Sequence, residues 1–326
     1  MQNNQVFNWG IIGCGNVTEV KSGPAYQQVA GFKLKAVMRR NEALARDYAN
    51  RHGVAIYCSD ADVLINDPAI DAVYIATPPD SHKHYALKVA QAGKICCIEK
   101  PLAPNLADSL AIKEAFEKAR LPLFVAYYRR SLPRFIKVKT LLEQNAIGDI
   151  RHIHWTLSKP ASQTDLSSTP NWRTDSQVAP GGYFDDLASH GLDLFAFLLG
   201  EFRQVKGISG NQQNLYSASD AISACWQHVS GVTGSGLWNF GSWNHQDKVT
   251  ITGSRGEISF AIFADRAIEL STGQGIKAFM IDNPMHVQFN HVENIYRHLT
   301  GQNLHPSTAE TAVHTAWVMD SILNDV

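Results

Sequence analysis

Asp186 and His190 stand four residues apart in "GGYFDDLASHGLDLFAFLLG" (181–200), a spacing that puts both on one face of a helix. A carboxylate beside an imidazole fixes its tautomer and favours the protonated ring, which suits a proton shuttle. Asp193, three residues beyond His190, is a second carboxylate within reach on such a helix. Lys100 closes the apolar run "KICCIEK" (94–100), at the carboxyl end of a strand, where a doubly wound sheet presents its ligands. Such groups suit acid–base chemistry at a substrate oxygen. That chemistry needs an oriented substrate, a proton that moves on or off oxygen, and a donor that steadies developing charge. Taken singly, an Asp/His pair on a helix also serves as a surface or capping pair, and a strand-end lysine is ordinarily solvated.

The chain opens with a loop that suits a dinucleotide. In "WGIIGCGNVTEVKSGP" (9–24), Gly13 allows a tight turn after a strand, and Gly15 lets the backbone approach a pyrophosphate. The amides of Asn16 and Val17 then begin a helix and offer donors to phosphate. Thr18 stands where a third glycine would allow close helix–strand packing, and its hydroxyl suits either a phosphate contact or a cap on the turn. Gly23-Pro24 interrupts the helix, and Pro24 fits the first position of a second one. The loop is expected to keep its phosphate role on a short or broken helix. At the end of the second strand, "AVMRRN" (36–41) has Arg39 and Arg40 where an NAD-preferring domain places an acid. A guanidinium grips a 2′-phosphate with paired, charge-assisted hydrogen bonds, so NADP is expected over NAD. The alternative is two solvated arginines.

The elements that must hold these groups follow from the apolar pattern. Strands are expected at 9–13, 33–38, 72–77, 94–100 and 122–127, with helices at 41–52, 82–93 and 105–120 between them. This alternation predicts an α/β, doubly wound parallel sheet, a Rossmann domain over 1–126. After about residue 130 the pattern changes. A helix at 133–145 leads to "IRHIHWTL" (150–157), a Ser/Thr/Pro/Gln-rich loop (158–171) and a long helix at 183–199 stopped by Gly200. Residues 203–281 read as short strands with turns, and two helices close the chain at 287–300 and 308–323. Residues 127–326 therefore read as an α+β domain on a large, mostly antiparallel open sheet, for substrate binding and oligomerisation. Helix 308–323 is a candidate to pack back on the N-terminal domain.

Composition bounds the function. Hydrophobic residues are 44% and charged residues 18% of 326, enough to build two cores, and the formal net charge is −1. With a pI near 6.9 and no basic stripe, nothing favours nucleic acid or a membrane surface as partner. No apolar run is long enough to span a bilayer, and "MQNNQVFNWG" lacks a signal pattern. The five cysteines form neither a CxxC pair nor a zinc spacing, so reduced thiols and the cytoplasm are expected. The pairs His82/His84 and His152/His154 have no Cys or carboxylate at ligand spacing, and no metal site is expected.

Taken in order, "GCGN", "ATPPDSHKHYALKVAQAGK" (76–94), "EKP" (99–101) and the 181–200 segment resemble the Gfo/Idh/MocA oxidoreductases along essentially the whole chain. The resemblance implies a Rossmann domain, a C-terminal α+β domain whose open sheet joins subunits, and nicotinamide-dependent chemistry on a sugar or polyol carbon. It makes Lys100 the lysine that reaches the reacting hydroxyl, before a commonly cis proline, Pro101. It makes Asp186 and His190 the family's Asp-x-x-x-His. It sets Thr77, Pro78 and His82 near the nicotinamide ribose and Glu99 on the cofactor side. His190 and Lys100 are then expected to bracket the substrate oxygen, one as acid/base and one as hydrogen-bonding stabiliser, with Asp186 orienting sugar and imidazole.

Further candidates are Tyr128 and Arg129, beside Tyr127 and Arg130 where the chain leaves the fifth strand, and Trp172 with Arg173, an aromatic–guanidinium pair suited to a sugar or acid. The first cluster serves domain packing equally well, and the second could instead pin the 158–171 loop. Trp226, Trp238 and Trp243 are expected in the core or at an interface. The reading is an NADP-preferring sugar or polyol dehydrogenase or reductase, a homodimer or homotetramer through the C-terminal sheet. The alternative is a non-catalytic nucleotide- and sugar-binding sensor or scaffold of the same fold. A sensor could lose the EKP lysine or the helix histidine, and this chain keeps both.

Overall fold

The computed structural model describes residues 5–167, 169 and 171–324; residues 1–4 of the polar N-terminal stretch and residues 168 and 170 of the long loop lie outside the described residues. The chain divides into two compact units. One holds the residues up to Leu132 together with Asn283–Val313, and the other holds Pro133–Asp282 with the residues from His314 onward. Segment 283–313, which the sequence pattern placed in the C-terminal domain, thus belongs to the first unit. Of helix 308–323, Ala312 joins the first unit's core, whereas residues from His314 belong to the second unit.

In chain order the first unit begins with β1 (Phe7–Ile12), α1 (Asn16–Val20), α2 (Ala25–Gln28), β2 (Phe32–Met38), α3 (Glu42–His52), β3 (Ile56–Cys58), α4 (Ala61–Ile65), β4 (Ala72–Ile75), α5 (His82–Gln91), β5 (Ile95–Ile98), α6 (Leu106–Ala119) and β6 (Leu123–Val125). The strands form one parallel sheet in the order β3-β2-β1-β4-β5-β6. That order reverses beside β1, which creates the crevice where doubly wound sheets bind ligands. Because side chains alternate across a strand, β4 and β5 feed two cores. Val73, Ile75, Cys96 and Ile98 pack on one face, and Ala72, Tyr74 and Cys97 on the other. Cys96 and Cys97 therefore point apart, both fully buried, and burial holds both thiols protonated.

Two local features differ from the sequence reading. The sheet has six strands rather than five: β3 is a three-residue edge strand of exposed or half-buried residues, without the apolar run that marks its neighbours. The helix after the glycine loop does break, into the five-residue α1 and the four-residue α2, but Pro24 caps α2 rather than occupying its first turn.

The second unit comprises α7 (Pro133–Glu143), β7 (Ile150–Ser158), α8 (Gln163–Leu166), α9 (Tyr183–Leu199), β8 (Phe202–Gly210), β9 (Ala221–His228), β10 (Thr233–Asn239), β11 (Gln246–Gly253), β12 (Gly256–Phe260), β13 (Ile268–Thr272) and β14 (Gly275–Phe279). Its eight strands run β14-β13-β12-β11-β7-β10-β9-β8, antiparallel except for β7 beside β10. α9 buries Phe184, Leu192 and Phe195, and Trp155 and Trp238 meet edge to face at 5.6 Å, with Phe195 edge-on to Trp155 and Phe184 edge-on to Trp238. Trp226 is also buried, whereas Trp243 is 91% exposed. Gly191 is the residue that lets this helix approach: a Cβ there would sit 2.3 Å from the Trp155 ring. Two further helices, α10 (Phe289–Leu299) and α11 (Ala309–Leu323), end the chain.

Candidate active site

In the first unit, Gly13 turns the chain off β1 with φ +91, and a Cβ there would meet Thr77 Cγ2 at 2.7 Å. Gly15 has only the Gly13 carbonyl near its Cβ position, at 3.8 Å, so the backbone there stays open to a ligand. Thr18 is fully buried, and its hydroxyl accepts from the Gly15 N–H at 3.0 Å and donates to the Gly15 carbonyl at 2.9 Å. Of the two roles open to it, the hydroxyl takes the cap. The N–H groups of Asn16 and Val17, at the start of α1, have no partner among the described residues. The tight packing that a third glycine would give is found at Gly23, whose Cβ position lies 2.2 Å from the Thr18 carbonyl and 2.4 Å from the Tyr48 hydroxyl. Tyr48 donates to that same carbonyl at 2.9 Å.

Gly13 and Gly15 line a cleft of about 380 Å³ with Arg39, Arg40, Thr77 and Pro78. Both arginines reach the cleft of the glycine loop, and no acid stands at the end of β2. Asn41, Leu44 and Tyr85 also line it. No sequence signal marked these three: Asn41 shows as the cap of α3, and Tyr85 as the single tyrosine of a helical run. Cys14 lines the cleft too, and burial raises its thiol to about 11. Glu19 on α1 is held by Arg51 and by His52 of α3, at 2.8 and 2.7 Å, which lowers its carboxyl to about 2.

Lys100 follows β5, and the Lys100–Pro101 bond is cis. Of the motif residues beside Lys100, His82 and Glu99 are both buried. His82 is fully buried, its Nε2 2.8 Å from the Thr77 carbonyl and its Nδ1 3.0 Å from the Pro101 carbonyl. It ties the Thr77 loop to the chain after Lys100 from behind, and burial lowers its pKa despite those carbonyls. Glu99 also turns inward: Tyr74 Oη and Gln288 Nε2 donate to its Oε1 at 2.5 and 2.7 Å. A motif match gives a position along the strand, not the face that the side chain takes. Tyr128 and Arg129 lie in a 3-10 turn, Tyr128–Ser131, with the buried Arg129 guanidinium over the Tyr128 ring at 5.0 Å. The neighbouring Arg130 donates to the Pro306 carbonyl at 3.0 Å.

In the second unit, Gly182, at φ +62, begins α9 and brings Asp186 and His190 one turn apart. Arg173 donates from Nε to Asp186 at 2.8 Å and stacks on Trp172 at 4.3 Å. Three sequence candidates, Trp172, Arg173 and Asp186, are thus joined by direct contacts, and His190 lies one turn further along the same helix. His190 is buried edge-on to Phe263, at 6.1 Å. The Phe263 turn is held by Asp247, whose carboxylate accepts from the N–H groups of Ile262, Phe263 and Ala264 and from Trp155 Nε1. Asp247 is a single acid in a strand, and no sequence signal marked it. Asp193 is fully buried and accepts from the Thr315 hydroxyl at 3.2 Å. Among the described residues no group of three or more His, Cys, Asp or Glu could hold a metal ion, and no helix is long and apolar enough to cross a membrane.

Residues 7–127 match the GFO/IDH/MocA family described as an oxidoreductase family with an NAD-binding Rossmann fold, and residues 135–259 match the GFO/IDH/MocA C-terminal domain. The chain belongs to the Gfo/Idh/MocA oxidoreductases. Oxidoreductase P35 of Formosa agariphila is 40% identical over 315 residues, covering 96% of this chain and 97% of that protein. The levoglucosan dehydrogenase of Pseudarthrobacter phenanthrenivorans is 34% identical over 212 residues, 63% of this chain and 54% of the enzyme. The inositol 2-dehydrogenase of Rhizobium meliloti is 27% identical over 278 residues, 82% and 79% of the two chains. A levoglucosan dehydrogenase solved in complex with NADH and levoglucosan superposes with a TM-score of 0.85 at 23% identity, covering 98% of this chain and 96% of that one. This Gfo/Idh/MocA oxidoreductase thus shares its fold with an enzyme of known sugar complex.

Proposed function

We propose that this oxidoreductase transfers a hydride between NADP, in preference to NAD, and a sugar, polyol or sugar-derived ketone. The observation that carries the cofactor reading is that Arg39 and Arg40 line the glycine-loop cleft where an acid would repel a 2′-phosphate. The residues fit a dinucleotide: Gly15 leaves its Cβ space open, and two N–H donors stand without partners at Asn16 and Val17. The nicotinamide, when bound, takes or gives the hydride. The contacts joining Trp172, Arg173 and Asp186, one turn before His190, support the sugar reading, as do the relatives named for levoglucosan and inositol. In the oxidative direction the carbon loses a hydride and its hydroxyl a proton. We assign the acid/base and oxygen-stabilising roles to His190 and Lys100, and the orienting role to Asp186. Thr77 and Pro78 serve the cofactor side, and the open sheet of the second unit joins copies of the chain in a cytoplasmic dimer or tetramer.

The test is titration of nucleotide-free protein with NADPH and NADH by fluorescence, followed by a sugar and polyol screen with the tighter cofactor. NADPH is expected to bind at least about tenfold more tightly, with Arg39→Asp reversing the order. Equal affinities, or an unchanged order in Arg39→Asp, would refute the NADP assignment. Unchanged turnover in both His190→Ala and Lys100→Met would refute the roles given to those residues.

A further inference from the structure

The Glu99 carboxylate, buried beside Lys100, is held by parts of the chain far apart in sequence. Its Oε2 accepts from the Lys100 main-chain N–H at 3.2 Å, and its Oε1 accepts from Tyr74 and from Gln288. The Tyr74 hydroxyl also lies 3.1 Å from Ser22 Oγ, and its single proton goes to the nearer, charged acceptor. Gln288 reaches the link after α1 as well, because its main-chain N–H donates to the Lys21 carbonyl at 3.1 Å. Two residues earlier, His286 Nδ1 lies 2.6 Å from the Val20 carbonyl. Segment 286–288 thus joins the end of the glycine-loop helix to the carboxylate that holds the Lys100 main chain.

Gln288 occupies this place at a cost in free energy. Its side chain is 1% exposed, and its Oε1 is buried with no partner among the described residues. A methionine of similar length would fill the same volume with no orphaned acceptor. What Gln288 has and methionine lacks is the Nε2–H donor to Glu99. We propose that Gln288 is a positioning residue of the reaction, holding Glu99, and through it the Lys100 main chain, in register with the glycine loop. The proposal rests on the dehydrogenase reading for its effect on turnover, but not for the bond network itself.

The experiment compares wild type, Gln288→Met, Glu99→Gln and the double variant, with Tyr74→Phe as an independent removal of a Glu99 donor. Hydrogen exchange at the Lys100 amide is read on the nucleotide-free protein, and steady-state kinetics on the assembled system. Gln288→Met, which trades the lost donor to Glu99 against the removed orphan acceptor, is expected to melt within about 5 °C of wild type, to speed exchange at the Lys100 amide about tenfold, and to lower kcat about tenfold with sugar KM within about twofold. The double variant is expected to lose no more kcat than Glu99→Gln alone, because both substitutions break one chain of contacts. Unchanged exchange and kcat in Gln288→Met, or losses that multiply in the double variant, would overturn the proposal. If Gln288→Met does not fold, Tyr74→Phe decides by the same two readouts. If wild type turns over no sugar with either dinucleotide, the dehydrogenase reading fails while the exchange arm still decides whether Gln288 holds Lys100.

Discussion

Arg173 donates its Nε–H to the Asp186 carboxylate at 2.8 Å while its guanidinium lies over the Trp172 ring at 4.3 Å. The two contacts fix the carboxylate one helical turn before His190. The pair is partly exposed, with 40% of the Arg173 side chain accessible, so it adds little to stability and its value lies in orientation. Arg173→Met is expected to lower kcat/KM about 10- to 100-fold with a melting temperature within about 2 °C of wild type. Arg173→Lys is expected to recover little, since an ammonium neither stacks on the ring nor keeps the planar fork. Kinetics and thermal melts of both variants check this.

The glycine loop is closed by Thr18 and packed by Gly23. Adding a methyl at Gly23 drives it into the Thr18 carbonyl and the Tyr48 hydroxyl, contacts of 2.2 and 2.4 Å that the backbone cannot relieve without moving α1. Gly23→Ala is expected to cost about 1–3 kcal/mol, the usual range for overpacking. Thr18→Val keeps the shape and loses the hydroxyl cap on Gly15, at a cost of about 1 kcal/mol, and Thr18→Ser restores most of it. Urea unfolding gives the stabilities, and dinucleotide titration is expected to weaken in Gly23→Ala and Thr18→Val alike.

Much of this was legible because apolar runs and turn residues repeat with the period of the elements that they build. The Rossmann strands, the broken helix at Gly23-Pro24 and the bounds of α9 follow from the sequence directly. β3 escaped because an edge strand of three half-exposed residues leaves no periodic trace. The motif marks Glu99 and His82 but not their partners Gln288, Tyr74 and Pro101, which only the tertiary fold brings to them. Segment 283–313 carries no motif for its unit. Its apolar residues Val292 and Ile295 join the core that holds Trp9 and Phe32, a match that amphipathic pattern alone does not address.

Acid stability of the first unit is expected to depend on His305. This ring is buried, accepts from the Ser307 N–H at Nδ1 and lies with Nε2 3.1 Å from the His291 carbonyl, an arrangement that suits the neutral ring. Burial lowers its pKa to about 4, and the neighbouring His291, edge-on at 4.7 Å, moves in the same direction. Between about pH 6.5 and 4 the unfolded chain therefore takes up a proton that the folded one refuses, so stability is full above that window and falls through it as pH drops. His305 alone is expected to remove about 2 kcal/mol between pH 7 and pH 5. Urea unfolding at the two pH values measures this, and His305→Gln is expected to flatten the slope while lowering stability at pH 7.

Asp247 tests whether the Phe263 turn beside His190 depends on a buried charge. Its two oxygens accept from three successive N–H groups, of Ile262, Phe263 and Ala264, and from Trp155 Nε1, at distances from 2.6 to 3.2 Å. An asparagine in the same place offers one oxygen and turns an amine toward donors, so at least one buried N–H loses its acceptor. Asp247→Asn is expected to cost about 2–3 kcal/mol, on the scale of lost hydrogen bonds to a charged group. The turn that presents Phe263 to His190 loosens with it, so kcat is expected to fall more than sugar KM rises. Phe263→Leu separates the two effects, because it leaves every Asp247 bond in place and removes only the ring edge. A kcat loss in Asp247→Asn that Phe263→Leu does not share would show that the carboxylate acts through the sheet and Trp155 rather than through this turn.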